Sequence, residues 1–160
     1  MCLVWAEGMD VNLVIVGKEG WKGIADEMRR DLPRTILNLR NHAELGKRLH
    51  WLEDVSDEYL EKVYAASCCL IAASIDEGFG LPLIEAAQHK LPIIARDIPV
   101  FREVAGLHAS YFQGMSADCV ARAVIDWLGL YKSDQHLRSD DISWLTWQES
   151  AAMLTKRLFK

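Results

Sequence analysis

The fold is decided by the stretch Glu77-Gly78-Phe79-Gly80-Leu81-Pro82-Leu83-Ile84-Glu85. A short apolar run, Cys68 to Ser74, precedes it and is typical of a buried strand. Pro82 suits the first turn of a helix, where a missing N–H costs nothing. We therefore predict a strand, a glycine-rich turn and a helix from about Pro82 to His89.

This turn has the chemistry of a site for a phosphorylated, hydroxyl-rich ligand. The first turn of a helix leaves backbone N–H groups without partners, and with the positive end of the helix dipole they attract anions. Gly78 and Gly80 let the backbone approach a ligand closely. Glu77 and Glu85 repel phosphate, but their carboxylates are good acceptors for sugar hydroxyls. A pyrophosphate between two sugars, as in a nucleotide sugar, fits this combination.

Composition limits the class of protein. The chain has 160 residues, a hydrophobic fraction of 51% and a formal net charge of -5. This size predicts one domain over residues 1–160, and the negative charge argues against a nucleic-acid partner. No apolar run approaches the ~18 residues that span a bilayer, so we expect a cytoplasmic chain. The cysteines and histidines show no metal-ligand spacing, and no metal is predicted.

The chain alternates short apolar strands with helical stretches. The predicted strands are Asn12 to Val16, Arg48 to Leu52, Cys68 to Ser74, Pro92 to Ala95 and Ser110 to Phe112. The predicted helices are Gly23 to Asp31, Arg34 to Leu45, Ser56 to Ala66, Pro82 to His89, Val100 to Val104, Ala117 to Tyr131 and Trp147 to Leu158. Such alternation predicts an α/β fold, a Rossmann-like doubly wound parallel sheet with helices on both faces.

The same segments resemble a known family. Glu77 and Glu85 are separated by seven residues, which resembles the EX7E signature of family 4 (group 1) glycosyltransferases with the GT-B fold. Three further segments resemble that family in its order: Leu13 to Gly17, Leu91 to Gly106 and Trp147 to Ala151. The resemblance covers nearly the whole chain. It implies the C-terminal, donor-binding domain of a retaining, mannosyltransferase-like enzyme.

The resemblance also implies a role for each residue of the site. Glu77 lies beside the donor sugar as the catalytic carboxylate, and Glu85 accepts hydrogen bonds from the ribose hydroxyls. The residues expected to present backbone to the pyrophosphate are Gly78, Phe79, Gly80, Leu81 and Leu83. Family members of this kind need no metal, because the helix end and basic residues stabilise the departing diphosphate.

Two loops elsewhere complete the expected donor site. Gly17 and Lys18 follow the first strand and are expected to line the crevice, where Lys18 adds positive charge. Base recognition in this fold uses loop backbone, expected near Glu53 to Val55.

The N-terminus predicts a missing element. Cys2 to Gly8 has the pattern of a helix end stopped by Gly8. In the resembled family a strand and a loop with basic residues precede this helix, and an acceptor-binding domain precedes both, so we expect truncation there. In the strand order 3-2-1-4-5-6 the absent strand is central, between Asn12 to Val16 and Cys68 to Ser74. Those strands either pair directly or leave a gap for another segment or chain, and unpaired edges predict dimerisation or strand exchange.

Some residues outside the site carry local expectations. Cys68 and Cys69 are expected to be reduced, small apolar residues on a buried strand. Trp144 and Trp147 are expected to pack in a core or against another domain. Lys90 stands where the family usually has glycine, so a left-handed backbone there would be strained.

A basic run between residues 29 and 48 has two interpretations. Its members are Arg29, Arg30, Arg34, Arg40, Lys47 and Arg48, interleaved with Asp31 and Glu44. Charge runs are usually a solvated helical face. Contact with an anionic membrane is the alternative, and would make the full-length enzyme peripheral to the inner membrane.

The sequence thus predicts a domain that binds a nucleotide-sugar donor, and the resemblance to mannosyltransferases implies GDP-mannose. It would serve transfer of a hexose to a polysaccharide or lipopolysaccharide and be inactive alone. One alternative is a folded association module without donor binding. Another is a different GT-B enzyme, such as a sugar-nucleotide epimerase. The donor-binding domain and the association module differ in whether enough positive charge remains to bind the diphosphate.

Overall fold

A computed structural model describes residues 1–18 and 32–159. By contacts, the chain divides into two compact units, Met1–Ala66 and Ser67–Lys160. Each contains a parallel sheet, which confirms the α/β class. The single domain expected over residues 1–160 stays a prediction.

The first unit has two strands and three described helices. In chain order these are α1 (Cys2–Ala6), β1 (Leu13–Val16), α2 (Leu32–Arg40), β2 (Leu49–Leu52) and α3 (Asp57–Ala66). β1 and β2 pair in parallel, with Leu13 opposite Leu49. The predicted end of a helix near Gly8 is confirmed, since Gly8 has a φ of 77°. The predicted helix Gly23 to Asp31 lies outside the described residues.

One helix of this unit ends earlier than predicted. α2 stops at Arg40, whereas the sequence predicted helix to Leu45. After it, the amide of Glu44 donates to Nδ1 of His42 at 3.1 Å. Such a local side-chain bond competes with the helical ladder. Arg48 then pairs with Glu44 at 3.0 Å and lies over the Trp5 ring, so this part of the basic run is bound to the fold.

The second unit has three strands and four described helices. They are β3 (Leu70–Ala72), α4 (Leu81–Gln88), β4 (Ile93–Arg96), α5 (Pro99–Ala105), β5 (Ser110–Phe112), α6 (Ala117–Lys132) and α7 (Trp147–Leu158). The strand order is β3-β4-β5, all parallel. Every residue of central β4 is buried, and the core around it includes Leu83, Phe101 and Trp127. All five predicted strands are therefore confirmed, the first three over shorter ranges and the fourth one residue later.

The described strands form two separate sheets. β1 pairs with β2 and β3 pairs with β4, while direct pairing of β1 with β3 is not found among the described strands. One edge of β1 and one edge of β3 therefore have no ladder partner in the described part of the chain. The missing strand expected between them stays a prediction.

The packing expectation for Cys68 and Cys69 was wrong, whereas packing of Trp144 and Trp147 against another domain stays a prediction. Cys68 is exposed and Cys69 half-buried, because the chain bends after α3 and β3 begins only at Leu70. Trp147 is 84% exposed and Trp144 is 43% exposed. Trp147 begins α7, whose capping box joins Thr146 and Glu149 but which buries none of its residues. No helix in residues 1–18 and 32–159 is both long and apolar enough to cross a membrane.

Lys90 adopts the strained backbone that the sequence predicted. Its φ is 54°. The amide of Lys90 donates to Ala87 O and that of Leu91 to Ala86 O, both at 2.9 Å, which is the Schellman pattern that normally ends in glycine. A side chain in this left-handed region costs free energy.

Lys90→Gly is expected to raise the free energy of unfolding by about 0.5–1 kcal/mol, because relief of strain outweighs the extra entropy of the unfolded glycine. Urea denaturation measures the change. Lys62→Gly, on exposed α3, is the matched control and is expected to lower stability by about 1 kcal/mol. Destabilisation by both changes to the same extent would contradict the strain at Lys90.

Candidate functional site

The connection from β3 to α4 depends on one glycine. Gly80 is the N-cap of α4, with φ 80° and ψ 36°, and no side chain caps the helix. A Cβ at Gly80 would lie 3.3 Å from Cδ1 of Phe101. Both the left-handed backbone and the close approach of α5 therefore favour glycine. The helix begins at Leu81, one residue before the predicted start.

Three backbone amides remain unused at this helix start. The amides of Phe79, Gly80 and Leu81 donate to no group in the described part of the chain. Leu83 differs: its amide donates to Gly80 O at 3.0 Å and its side chain is fully buried. The N–H of Leu83, which was expected to face a ligand, is therefore used in a hydrogen bond within the turn. The free donors lie at the positive end of the α4 dipole and can bind an anion.

Two carboxylates flank these amides. Glu77 is half-buried in the turn, and its amide donates to Oδ1 of Asp76 at 2.9 Å. Glu85 is half-buried on α4, one helical turn after Leu81 and on the same face. Gly78 and the side chain of Phe79 are exposed. The turn therefore offers anion donors between two acceptors for hydroxyl groups.

Arg96 lies buried at the end of β4 beside this turn, and no role was predicted for it from the sequence. Only 8% of the residue is exposed. Its Nε and Nη2 donate to Ala73 O at 3.2 and 3.1 Å, and its Nη1 donates to Gly114 O. The guanidinium carbon lies 4.9 Å from the centre of the Phe112 ring. A charged residue ending an otherwise apolar strand was the available signal.

A second arginine at this edge of the sheet is paired with a carboxylate. Arg102 donates to Asp97 through Nε at 2.7 Å and Nη2 at 3.0 Å, and Gln113 donates to the same carboxylate at 3.1 Å. The guanidinium also lies 3.6 Å from the centre of the Tyr111 ring. The bonds from Arg102, followed by the bond from Gln113, lower the pKa of Asp97 to about 2. The network joins α5 to β5.

This pair predicts a pH dependence of stability. The folded-state pKa of Asp97, about 2, lies below the ordinary value. Its contribution is therefore present above about pH 4 and is lost as the pH falls through about 2. Urea unfolding at several pH values should show wild type more stable than Asp97→Asn at pH 5, with the difference vanishing toward pH 2. A difference that does not vary with pH would contradict the assignment.

In the first unit, the loops after β1 and β2 contact each other. Trp51 Nε1 donates to Gly17 O at 2.7 Å, and Gly17 has a φ of 134°. Lys18 Nζ lies 2.9 Å from Asp54 Oδ1, and both side chains are exposed. This bond raises the pKa of Lys18. The positive charge predicted at Lys18 is therefore largely offset by a neighbouring carboxylate.

The loop after β2 also borders a cavity of about 450 Å³. Its lining residues are Trp51, Leu52, Glu53, Asp54, Val55, Ser56 and Tyr59. Asp54 holds a left-handed backbone with φ 52°. The loop predicted for base recognition, Glu53 to Val55, thus lies at a cavity with both aromatic and polar walls.

The fold and the β3–α4 turn define a Rossmann-like α/β protein with free backbone amides where a parallel strand leads into a helix. The comparisons make this specific. The profile described as "Glycosyl transferases group 1" matches residues 3–142, so the chain belongs to that family and is a glycosyltransferase by family. The epimerase alternative finds no support in this assignment.

Curated relatives point the same way. The chain is 52% identical over 155 residues to the serotype-specific mannosyltransferase WbdA of Escherichia coli, covering 97% of this chain and 18% of that protein. It is 37% identical over 109 residues to the O-antigen chain mannosyltransferase RfbU of Salmonella typhimurium, covering 68% of this chain and 27% of RfbU. The chain therefore spans only about a fifth to a quarter of these relatives.

Solved structures support the fold. A glycosyltransferase from Rickettsia africae superposes with a TM-score of 0.61 at 21% identity, over 83% of this chain and 34% of that chain. Anabaena HepE, solved with UDP and glucose, superposes with a TM-score of 0.60 at 17% identity, over 84% of this chain and 36% of that chain. At such identities the likeness establishes the GT-B type of fold alone.

Proposed function

We propose that this chain binds the nucleotide-sugar donor of a retaining glycosyltransferase, with GDP-mannose as the donor. The hexose would pass to a polysaccharide or lipopolysaccharide, in an enzyme working in the cytoplasm at the inner membrane. The observation that carries the proposal is the turn between Glu77 and Glu85, in which the amides of Phe79, Gly80 and Leu81 are free. The mannosyltransferase relatives support mannose as the sugar.

Each part of the turn has a proposed task. The amides of Phe79, Gly80 and Leu81 bind the diphosphate, assisted by the α4 dipole. Glu85 accepts from the ribose hydroxyls and Glu77 from the hydroxyls of the sugar. As the bond to the sugar breaks, negative charge grows on the departing diphosphate, and preorganised donors stabilise it. The departing phosphate oxygen is the proposed base for the acceptor hydroxyl, and no metal takes part.

A separate proposal concerns the first unit by itself, where the loop Glu53 to Val55 is the candidate for contact with a base. Trp51 and Tyr59 line the cavity of about 450 Å³ at this loop. Loop amides and carbonyls can bind the edge of a base, and aromatic side chains can pack against its face.

The test is calorimetric titration of the purified chain with GDP, UDP, ADP and their common sugar conjugates. We expect GDP and GDP-mannose to bind most tightly, and EDTA to leave their affinity unchanged. Absence of binding by every nucleotide would reject the donor role. Equal binding of all bases would reject base recognition by the loop. The chain alone is expected to show no transfer of mannose.

A second proposal rests on the strand edges. β1 and β3 each have one edge without a ladder partner in the described part of the chain. Such edges favour pairing with another chain, so we propose a homodimer formed through them. Sedimentation velocity over a range of concentrations tests this. A monodisperse monomer would reject it without bearing on donor binding.

A further inference from the structure

Arg96 differs from the paired cations Lys18 and Arg102. Lys18 pairs with Asp54 and Arg102 with Asp97. Arg96 has no carboxylate partner among the described residues; its contacts are two carbonyl oxygens and an aromatic ring. Its positive charge is therefore solvated by dipoles and not cancelled by a negative charge.

The buried position of Arg96 makes this charge effective. Charges inside a protein are screened less than charges at the surface, so their field acts over longer distances. Three of the five guanidinium N–H groups donate to Ala73 O and Gly114 O, and the charge of Arg96 acts on a ligand mainly through its field.

The neighbours of Arg96 place that field at the β3–α4 turn. Ala95 is in register with Ala72, the last residue of β3, and the side chain of Arg96 holds the next carbonyl, Ala73 O. The turn toward Gly80 starts from there. The charge thus lies at the same end of the sheet as the free amides of the α4 N-terminus.

We propose that Arg96 is a positioning residue that favours the diphosphate of the donor, supplying positive potential beneath the β3–α4 turn. The inference rests on the proposed donor-binding function, because it assigns the charge that this function requires. The variant Arg96→Lys distinguishes a role in binding from a role in holding Ala73 in place, because lysine keeps the charge but cannot make all the carbonyl bonds.

The test is an NMR titration of the chain with guanosine, GDP and inorganic pyrophosphate, for wild type, Arg96→Met and Arg96→Lys. We expect Arg96→Met to weaken the binding of GDP and pyrophosphate by about tenfold or more and to leave the binding of guanosine unchanged. Arg96→Lys should retain most of the affinity. Arg138→Met, which removes an exposed cation paired with Asp134, is the control and should change nothing.

Three results would overturn the inference. Arg96→Met could lose affinity for guanosine and GDP equally, or lose affinity for neither. Arg96→Lys could bind GDP and pyrophosphate as weakly as Arg96→Met does. Should Arg96→Met fail to fold, Arg96→Lys decides between the two roles. If this variant is less stable but keeps its affinity for GDP and pyrophosphate, the charge of Arg96 favours the diphosphate. If it loses that affinity, Arg96 acts only by holding Ala73 in place. If wild type binds pyrophosphate in an Arg96-dependent way but not GDP, the nucleotide part of the proposed function fails and the inference stands. Binding of neither rejects both.

Discussion

Phe101→Ala is expected to lower the free energy of unfolding by about 3–5 kcal/mol, the range for emptying a buried aromatic site. Phe101 is 1% exposed, and its ring lies against Gly80 at the start of α4. Its carbonyl also accepts from Tyr111 Oη at 3.0 Å. Removal of the ring leaves a cavity between α5 and the β3–α4 turn. Because domains are stable by only about 5–15 kcal/mol, this change approaches the limit of folding.

Phe79→Ala is the matched control for this prediction. Phe79 lies on the same turn but is 59% exposed, so its truncation is expected to cost at most about 0.5 kcal/mol. Urea denaturation followed by circular dichroism measures both variants. Similar losses for the two phenylalanines would show that Phe101 does not fix the turn.

Glu85→Ala is expected to weaken binding of GDP by about 100-fold, since hydrogen bonds to charged groups contribute about 1.5–3 kcal/mol. Calorimetry with GDP and 2′,3′-dideoxy-GDP separates the role of the carboxylate from damage to the fold. Wild type should lose affinity for the dideoxy ligand, whereas Glu85→Ala should bind the two ligands alike. Glu85→Gln keeps one acceptor and should fall between wild type and alanine.

The matched control is Glu103→Ala, an exposed glutamate on α5 outside the turn. It should leave both affinities unchanged. A loss in Glu85→Ala that is equally large with and without ribose hydroxyls would place the effect elsewhere in the turn. The ribose role would then be wrong, even if nucleotide binding itself were observed.

Local patterns in the sequence were enough to predict most of the fold. The β strands follow short apolar runs, and α7 occupies the predicted range Trp147 to Leu158 because Thr146 and Glu149 form a capping box. The β3–α4 turn was equally accessible, since a glycine at a helix start and a proline in its first turn have fixed conformational meaning.

Features that depend on distant partners could not be predicted. The bonds from Arg96 to Ala73 O and Gly114 O join residues 23 and 18 positions away, and no local pattern shows them. The pairing of Lys18 with Asp54 is likewise a contact between two loops. Both bear on the charge available to the proposed diphosphate: the exposed Lys18 pairs with a carboxylate, while the buried Arg96 does not.

The exposure of α7 has a consequence for its kinetics of opening. Its capping box secures the first turn, yet no residue of the helix is buried. A helix of this length is only marginally stable in water by itself, so its hydrogen bonds open through a local helix–coil equilibrium. Fully buried β4 opens only when the sheet does. Amide hydrogens of α7 therefore exchange with solvent at a rate set by this local opening, independent of global unfolding.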